Sequence, residues 1–227
     1  MIAPQHHGIV VIGAGIAGAS IAHEIISRGH PVCVVESEGA PARGCSSHAY
    51  AIAHPHITRG SAKLLQLTRI AFELALARWG DQWVHRGALH PIKNGLEFDR
   101  DAIALQLNEL GLSPEIALPV SAEQASQLAG VARAGVWFAS AGMLSLEKTT
   151  QQLLHPCAQL TQINQMKIDT LAREGNRWLL TDAEKNISLS ADKVIVAAGL
   201  ASKKILSSIQ IKLPLKPVRG QLSFFKI

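Results

Sequence analysis

The sequence predicts an α/β fold, in which a domain with a parallel sheet is interleaved with a smaller, partial α+β domain. Three observations predict it. The apolar, β-branched run Ile9–Ile12 leads into Gly13, Gly15 and Gly18, then into a segment of helix length, then into a second apolar run, Val32–Val35. Strand, helix and strand at this spacing form the βαβ unit of a parallel sheet. A third run of the same kind, Lys193–Gly199, lies near the other end of the chain, and between these runs the pattern changes to amphipathic helices and short strands. With 227 residues, 48% of them hydrophobic, the chain can bury a substantial core.

The N-terminal unit is the most specific. Gly13 permits the tight turn out of the strand, Gly15 lets backbone approach a pyrophosphate, and Gly18 lets the following helix pack closely on the sheet. That helix is predicted over Ile16–Ser27, with its free N–H groups and about half a positive charge aimed at phosphates. Arg28-Gly29-His30-Pro31 ends it. Glu36 follows the second strand, 18 residues past Gly18, where a carboxylate accepts ribose hydroxyls and repels a 2′-phosphate. The unit is Rossmann-like and favours an adenine dinucleotide without that phosphate.

The remaining elements follow in order. Gly39–Ser47 and the His-rich stretch to Thr58 read as a loop that lines a site. Leu64, Leu67, Ile70 or Ala71, Leu74 and Ala75 recur at helical spacing and predict a packing helix over 61–79. A strand is expected at Gly87–Ile92 and an amphipathic helix at Arg100–Leu110. Ser121, two residues ahead of Glu123, is placed to cap a short helix. Leu146–Leu154 reads as a helix, and strands near Gln162–Leu171 and Arg177–Asp182 read as a hairpin across Glu174-Gly175-Asn176. Lys193–Gly199 is then a buried strand, and Leu213–Leu222 mixes prolines with a polar turn.

Composition narrows the function classes. Cys33, Cys45 and Cys157 are odd in number and widely spaced, which suits reduced thiols in a cytoplasmic protein better than disulfides or a zinc site. A formal charge of +5 is compatible with an anionic partner, but the basic residues read as scattered and charge alone supports nucleic acid only weakly. The N-terminal apolar run is too short for a membrane span, and no membrane partner is expected. His48, His54 and His56 lack a recognised ligand spacing, so no metal is expected. Trp79, Trp83, Trp137 and Trp178 fit packing better than a base-stacking platform.

Four separated motifs can be read together: the N-terminal glycine turn with Glu36, Gly44-Cys-Ser-Ser-His-Ala-Tyr-Ala-Ile-Ala-His-Pro55, Val194-Ile-Val-Ala-Ala-Gly199 and Pro217-Val-Arg-Gly-Gln221. Together they resemble the D-amino-acid oxidase superfamily of FAD-dependent oxidoreductases, and within it a branch that modifies tRNA. Gly44, Ser46 and Pro55 fit in register a Gly-Ala-Ser-Gly-Asn pattern that ends in proline eleven residues after its first glycine. The resemblance extends through Gly135-Val-Trp-Phe, Gly142-Met-Leu and Asn176-Arg-Trp-Leu-Leu. His48 stands where the family has Asn, Ala51 where it has Gly, Met143 where it has Trp and Leu146 where it has Pro. The family is longer than this chain, which resembles its leading portion.

The resemblance implies FAD as cofactor. Gly13, Gly15, Ile16, Ala17 and Gly18 would hold its pyrophosphate and Glu36 its adenosine ribose, with Gly44, Ser46 and Ser47 beside the pyrophosphate or ribityl oxygens. Ile168 would meet the adenine through its backbone, and Ala198 and Gly199 would lie beside the flavin. Arg219 is a candidate substrate-carboxylate anchor; no catalytic acid or base is assigned. The reaction implied is oxidation of a C–N bond of a secondary amine, through an imine that water hydrolyses. For the tRNA branch the substrate is the carboxymethylaminomethyl group of a wobble uridine, lost as glyoxylate. Two other readings are a small-molecule amine substrate, a free amino acid such as glycine or sarcosine, and a truncated flavin-fold module without turnover. The implied organisation is an FAD-binding domain in two segments, 1–84 and 146–212, a partial substrate-side domain at 85–145, and the start of a substrate-domain strand at 213–227.

Overall fold

A computed structural model describes residues 4–55, 57, 62–93, 95–220 and 223. They divide into two compact units, one running up to Ala49 and resuming at Leu146, the other spanning Tyr50 to Ser145. The first boundary thus falls at Ala49, so residues 50–84, expected in the nucleotide-binding segment, belong to the inserted unit. The cause is a short strand that sequence reading took for loop: Ala51–Ala53 pairs with the long strand Gly135–Leu144 of the insertion.

The first unit begins with β1 (Gln5–Ile12), α1 (Ile16–Ser27) and β2 (Val32–Val35). Val10, Val11, Val34 and Val35 are fully buried, each burial contributing about 1.5–3 kcal/mol. Helix α1 turns Gly18, Ala19 and Ala22 inward, small residues that let it lie close to its neighbours. Gly29 at φ +82° stops it, as the Gly-His-Pro run predicts.

The inserted unit holds β3 (Ala51–Ala53), α2 (Ala62–Trp79), β4 (His85–Pro91), α3 (Arg100–Glu109), β5 (Leu118–Val120), α4 (Ala122–Ala129) and β6 (Gly135–Leu144). β6 is the spine of an antiparallel sheet, pairing with β3, β4 and β5. Asp99 caps α3. Ser121 caps α4 as expected, and Gln124 returns the reciprocal bond, because the third helical position reaches back to the cap N–H. The tryptophans pack: Trp83 covers Gly142, Trp137 covers Gly87 and Trp79 joins the Phe72 cluster.

The chain returns to the first unit through α5 (Leu146–Leu153), β7 (Leu160–Ile163), β8 (Thr170–Glu174), β9 (Arg177–Asp182), β10 (Ile187–Val196) and α6 (Ser202–Ser207). Its sheet order is β7-β2-β1-β10-β9-β8. β7, β2, β1 and β10 run parallel, and β9 and β8 extend the sheet as an antiparallel meander. The strand expected over Gln162–Leu171 is two strands, because Gln165 takes a left-handed φ of +58° and the chain leaves the edge of β2 for the far end of the meander. β10 starts six residues earlier than expected, and its Val194–Val196 end is half-buried rather than buried. Trp178 packs in the core of this unit beneath the Arg173 guanidinium. Residues 213–220 carry no regular structure, while Gln221, Leu222 and 224–227 of the expected terminal strand lie outside the described residues.

Candidate nucleotide-binding site

The site forms at the carboxyl ends of β1, β2 and β10, where parallel-sheet proteins bind ligands. Gly13 turns the chain at φ +103°, and a Cβ there would lie 2.6 Å from the Ala197 carbonyl oxygen. Its N–H donates to the Val35 carbonyl at 2.8 Å, tying the turn to β2, while the Ala197 N–H donates to the Ile12 carbonyl and ties it to β10. Only a residue without a side chain fits between those strands.

Glu36 organises the second wall. Its Oε2 accepts the Ala14 N–H at 2.7 Å, and its Oε1 accepts the Glu38 N–H and the Ser37 hydroxyl at 3.0 Å. The connection from β7 to β8 crosses beside it: the Glu36 N–H donates to the Ile163 carbonyl, and the Met166 N–H to the Glu36 carbonyl. The Lys167 N–H donates to Asp182 Oδ2 and the Lys185 N–H to Oδ1. Burial acts to raise this carboxyl, but the backbone donors Lys185 and Lys167 outweigh it and hold Asp182 below the usual range.

The loop after β2 folds back as the third wall. The Ala42 N–H donates to the Ala14 carbonyl, and Ser46, buried in a single 3-10 turn at Cys45–Ser47, accepts the Ile16 N–H on Oγ at 2.9 Å. Accepting that bond leaves the Ser46 proton to donate to an anion.

These walls enclose a cleft of about 660 Å3. Of the residues expected at a nucleotide, Gly13, Gly15, Ile16, Ala17, Glu36, Gly44, Ser46, Ile168, Ala198 and Gly199 line it. Two do not. Gly18 lies buried under the turn, and exposed Ser47 donates its N–H to the Gly44 carbonyl within the 3-10 turn. Arg219 is exposed in 213–220 and is not part of the cleft lining. The charged lining residues Glu38, Arg43, Lys167, Asp169 and Lys204 were missed by sequence reasoning. Lys204 Nζ donates to Asp169 Oδ1 at 2.6 Å, and this bond above all holds that carboxyl below its usual range.

Other groups have structural explanations. Cys33, inside β2, is buried, and burial pushes its thiol up to about 12; Cys45 and Cys157 are exposed, and all three are free. His54 Nδ1 donates to the Pro55 carbonyl at 2.7 Å and its ring packs on Phe138, while His56 lies outside the described residues. Among the described residues no group of His, Cys, Asp and Glu is arranged to hold a metal, and no helix is long and apolar enough to cross a membrane. The basic residues are not evenly scattered. Residues 202–220 hold five of the 22 Lys and Arg and none of the 17 Asp and Glu, so the rest of the chain is formally neutral. All five, Lys203, Lys204, Lys212, Lys216 and Arg219, are exposed.

Residues 8–227 match the family described as DAO, FAD dependent oxidoreductase. The chain is 30% identical over 229 residues to the tRNA 5-methylaminomethyl-2-thiouridine biosynthesis bifunctional protein of Ralstonia nicotianae, covering 97% of this chain and 34% of that protein. It is 33% identical over 224 residues to the protein of the same name from Marinobacter nauticus, covering 95% and 34%. The chain therefore spans about a third of the length of these relatives. Among solved structures, glycine oxidase from Geobacillus kaustophilus superposes with a TM-score of 0.75 at 17% identity, over 92% of this chain and 60% of that one. L-proline dehydrogenase from P. horikoshii gives 0.69 at 17%, over 93% and 58%. Both share the fold.

Proposed function

Because this chain belongs to the family of FAD-dependent oxidoreductases, we propose that its cleft holds the ADP half of FAD and that the protein oxidises a secondary amine, the carboxymethylaminomethyl group of a wobble uridine in tRNA. The observation that carries the cofactor assignment is the junction at Gly13, where three backbone segments converge with no room for a side chain. A pyrophosphate needs that close approach.

The residues fit the cofactor as follows. Gly13, Gly15, Ile16 and Ala17 line the pyrophosphate position, where Gly13 gives close approach and the Ile16 N–H acts through the Ser46 hydroxyl it donates to, and Gly44 and that hydroxyl close on it from the returning loop. Gly18 supports the turn from beneath and Ser47 supports the loop. Glu36, already fixed by the Ala14 and Glu38 N–H groups and the Ser37 hydroxyl, keeps a lone pair on Oε2 for a ribose hydroxyl. Ile168 offers backbone to the adenine, and Ala198 and Gly199 line the path toward the flavin. When bound, FAD accepts the two electrons that leave the substrate C–H bond. The part played by this chain is to hold the cofactor by one end so that the reacting end is oriented and kept from water.

The tRNA substrate is supported by the names of the relatives and by the concentration of charge at 202–220, a segment suited to a phosphate backbone. The reaction belongs in the cytoplasm, where free thiols such as Cys33, Cys45 and Cys157 stay reduced. The test is reconstitution with FAD, followed by incubation with tRNA from a strain lacking the gene. The expected result is flavin absorbance that survives gel filtration, and glyoxylate release matched by an aminomethyl uridine in the tRNA. Glyoxylate from glycine or sarcosine with unchanged tRNA would move the substrate to free amino acids. A colourless protein that cannot be reconstituted would sink the cofactor assignment and leave a flavin-fold module without turnover.

A further inference from the structure

We propose that Arg43 is a pyrophosphate-binding residue of this cleft, exchanged from Glu147 to the anion when the nucleotide enters. Positive charge is scarce where the phosphates would lie. A pyrophosphate diester carries about two negative charges, whereas a helix N-terminus supplies about half a positive one. The first turn of α1 has no charged side chain, and two of the nearby backbone donors are engaged, Ala14 with Glu36 and Ile16 with Ser46. Glu36 and Glu38 line the same cleft and make it less hospitable to an anion.

Three cationic side chains line the cleft: Arg43, Lys167 and Lys204. The two lysines belong to the far wall. Lys204 is bonded to Asp169, and Lys167 is two residues from that same carboxylate, beside Ile168. Arg43 precedes Gly44, Cys45 and Ser46 on the wall that meets the helix N-terminus. Its position is therefore the one from which a cation serves the phosphate end and not the adenosine end.

Its present partner is a weak one. Arg43 Nη1 lies 3.8 Å from Glu147 Oε1 on α5, beyond hydrogen-bond distance, with the side chains 54% and 38% exposed. Exposed pairs of this kind contribute little. A guanidinium on phosphate oxygens makes short, paired, charge-assisted bonds, so the exchange runs toward the anion. Glu147 then parks the arginine beside the cleft without holding it.

The experiment compares binding of ADP, of adenosine and of FAD by titration calorimetry to the parent protein, R43A, R43K and E147Q. R43A is expected to weaken ADP and FAD about tenfold and to leave adenosine unchanged, since adenosine lacks the diphosphate. R43K is expected to recover part of the loss, and E147Q to bind ADP at least as tightly as the parent. Equal ADP affinity in R43A and parent would overturn the assignment, as would a loss of adenosine binding equal to the loss of ADP binding, which would mark a structural role. Weakened ADP binding by E147Q would overturn the exchange with Glu147. FAD binding by the parent reports separately on the cofactor assignment.

Discussion

A methyl group at Gly18 would fall 1.9 Å from the Gly13 carbonyl oxygen, on backbone that has nowhere to go. Gly18→Ala must therefore push α1 away from the turn whose N–H groups it aims. Overpacking of this kind costs about 1–3 kcal/mol, and the variant is expected to melt earlier and to lose most of its stabilisation by ADP. Thermal unfolding with and without ADP checks both; an unchanged ADP-induced shift would contradict the role given to the helix N-terminus. The glycines and Glu36 were legible in the sequence because each fills a position that local backbone geometry restricts. Arg43 and the Lys204–Asp169 pair were not, since the latter joins residues 35 apart and depends on α6 folding back over the β7–β8 connection. A sequence window holds no record of that return.

Between β7 and β8 the chain crosses beside Glu36, and one buried carboxylate from β9 holds it. Asp182 is 1% exposed and accepts the Lys167 and Lys185 N–H groups on separate oxygens. Asp182→Asn keeps one acceptor and replaces the other with a donor, which is expected to cost about 1–3 kcal/mol. Because the carboxyl is held below its ordinary value, the stability it contributes is fully present above the unfolded pKa of about 3.9 and is lost as pH falls through the folded one. Denaturant midpoints should separate parent and variant at neutral pH and converge in acid. A gap that persisted or widened in acid would contradict the ionised role. At this scale sequence reading succeeded with long periodic segments such as α1 and α3. It missed β3 and β5, each three residues long, which are too short to display an alternation and exist because β6 offers them a partner. It also fused β7 with β8, because nothing local marks Gln165 as left-handed.

Over the whole molecule, charge is distributed as unevenly as chemistry. Apart from 202–220 the chain balances its 17 acids with 17 bases, so long-range attraction for a polyanion comes from one segment. On the proposed tRNA substrate, reversal of Lys203, Lys212 and Lys216 to Glu is expected to weaken binding of tRNA and to flatten its dependence on salt, by roughly 0.7–0.9 in the log–log slope for each phosphate that is no longer neutralised. ADP affinity should stay the same. Filter binding across a salt series measures the slope; a slope that did not change would contradict a role for this segment in binding RNA. The α/β class with an interleaved second domain was legible because its signals sit at both ends of the chain, but the seam at Ala49 was not. A three-residue strand decides it.

The sheet order has a temporal side. β1 lies between β2 and β10, so Val10 meets Cys33 on one edge and Val194 on the other. A ribosome delivers the first neighbour almost at once and the second only after the entire insertion has been made. Until then β1 keeps an open, apolar edge of the kind that recruits chaperones or wrong partners. The glycine signature is translated before the whole insertion. The cradle it belongs to closes only after the insertion, because the β10 side of the Gly13 turn arrives with Ala197.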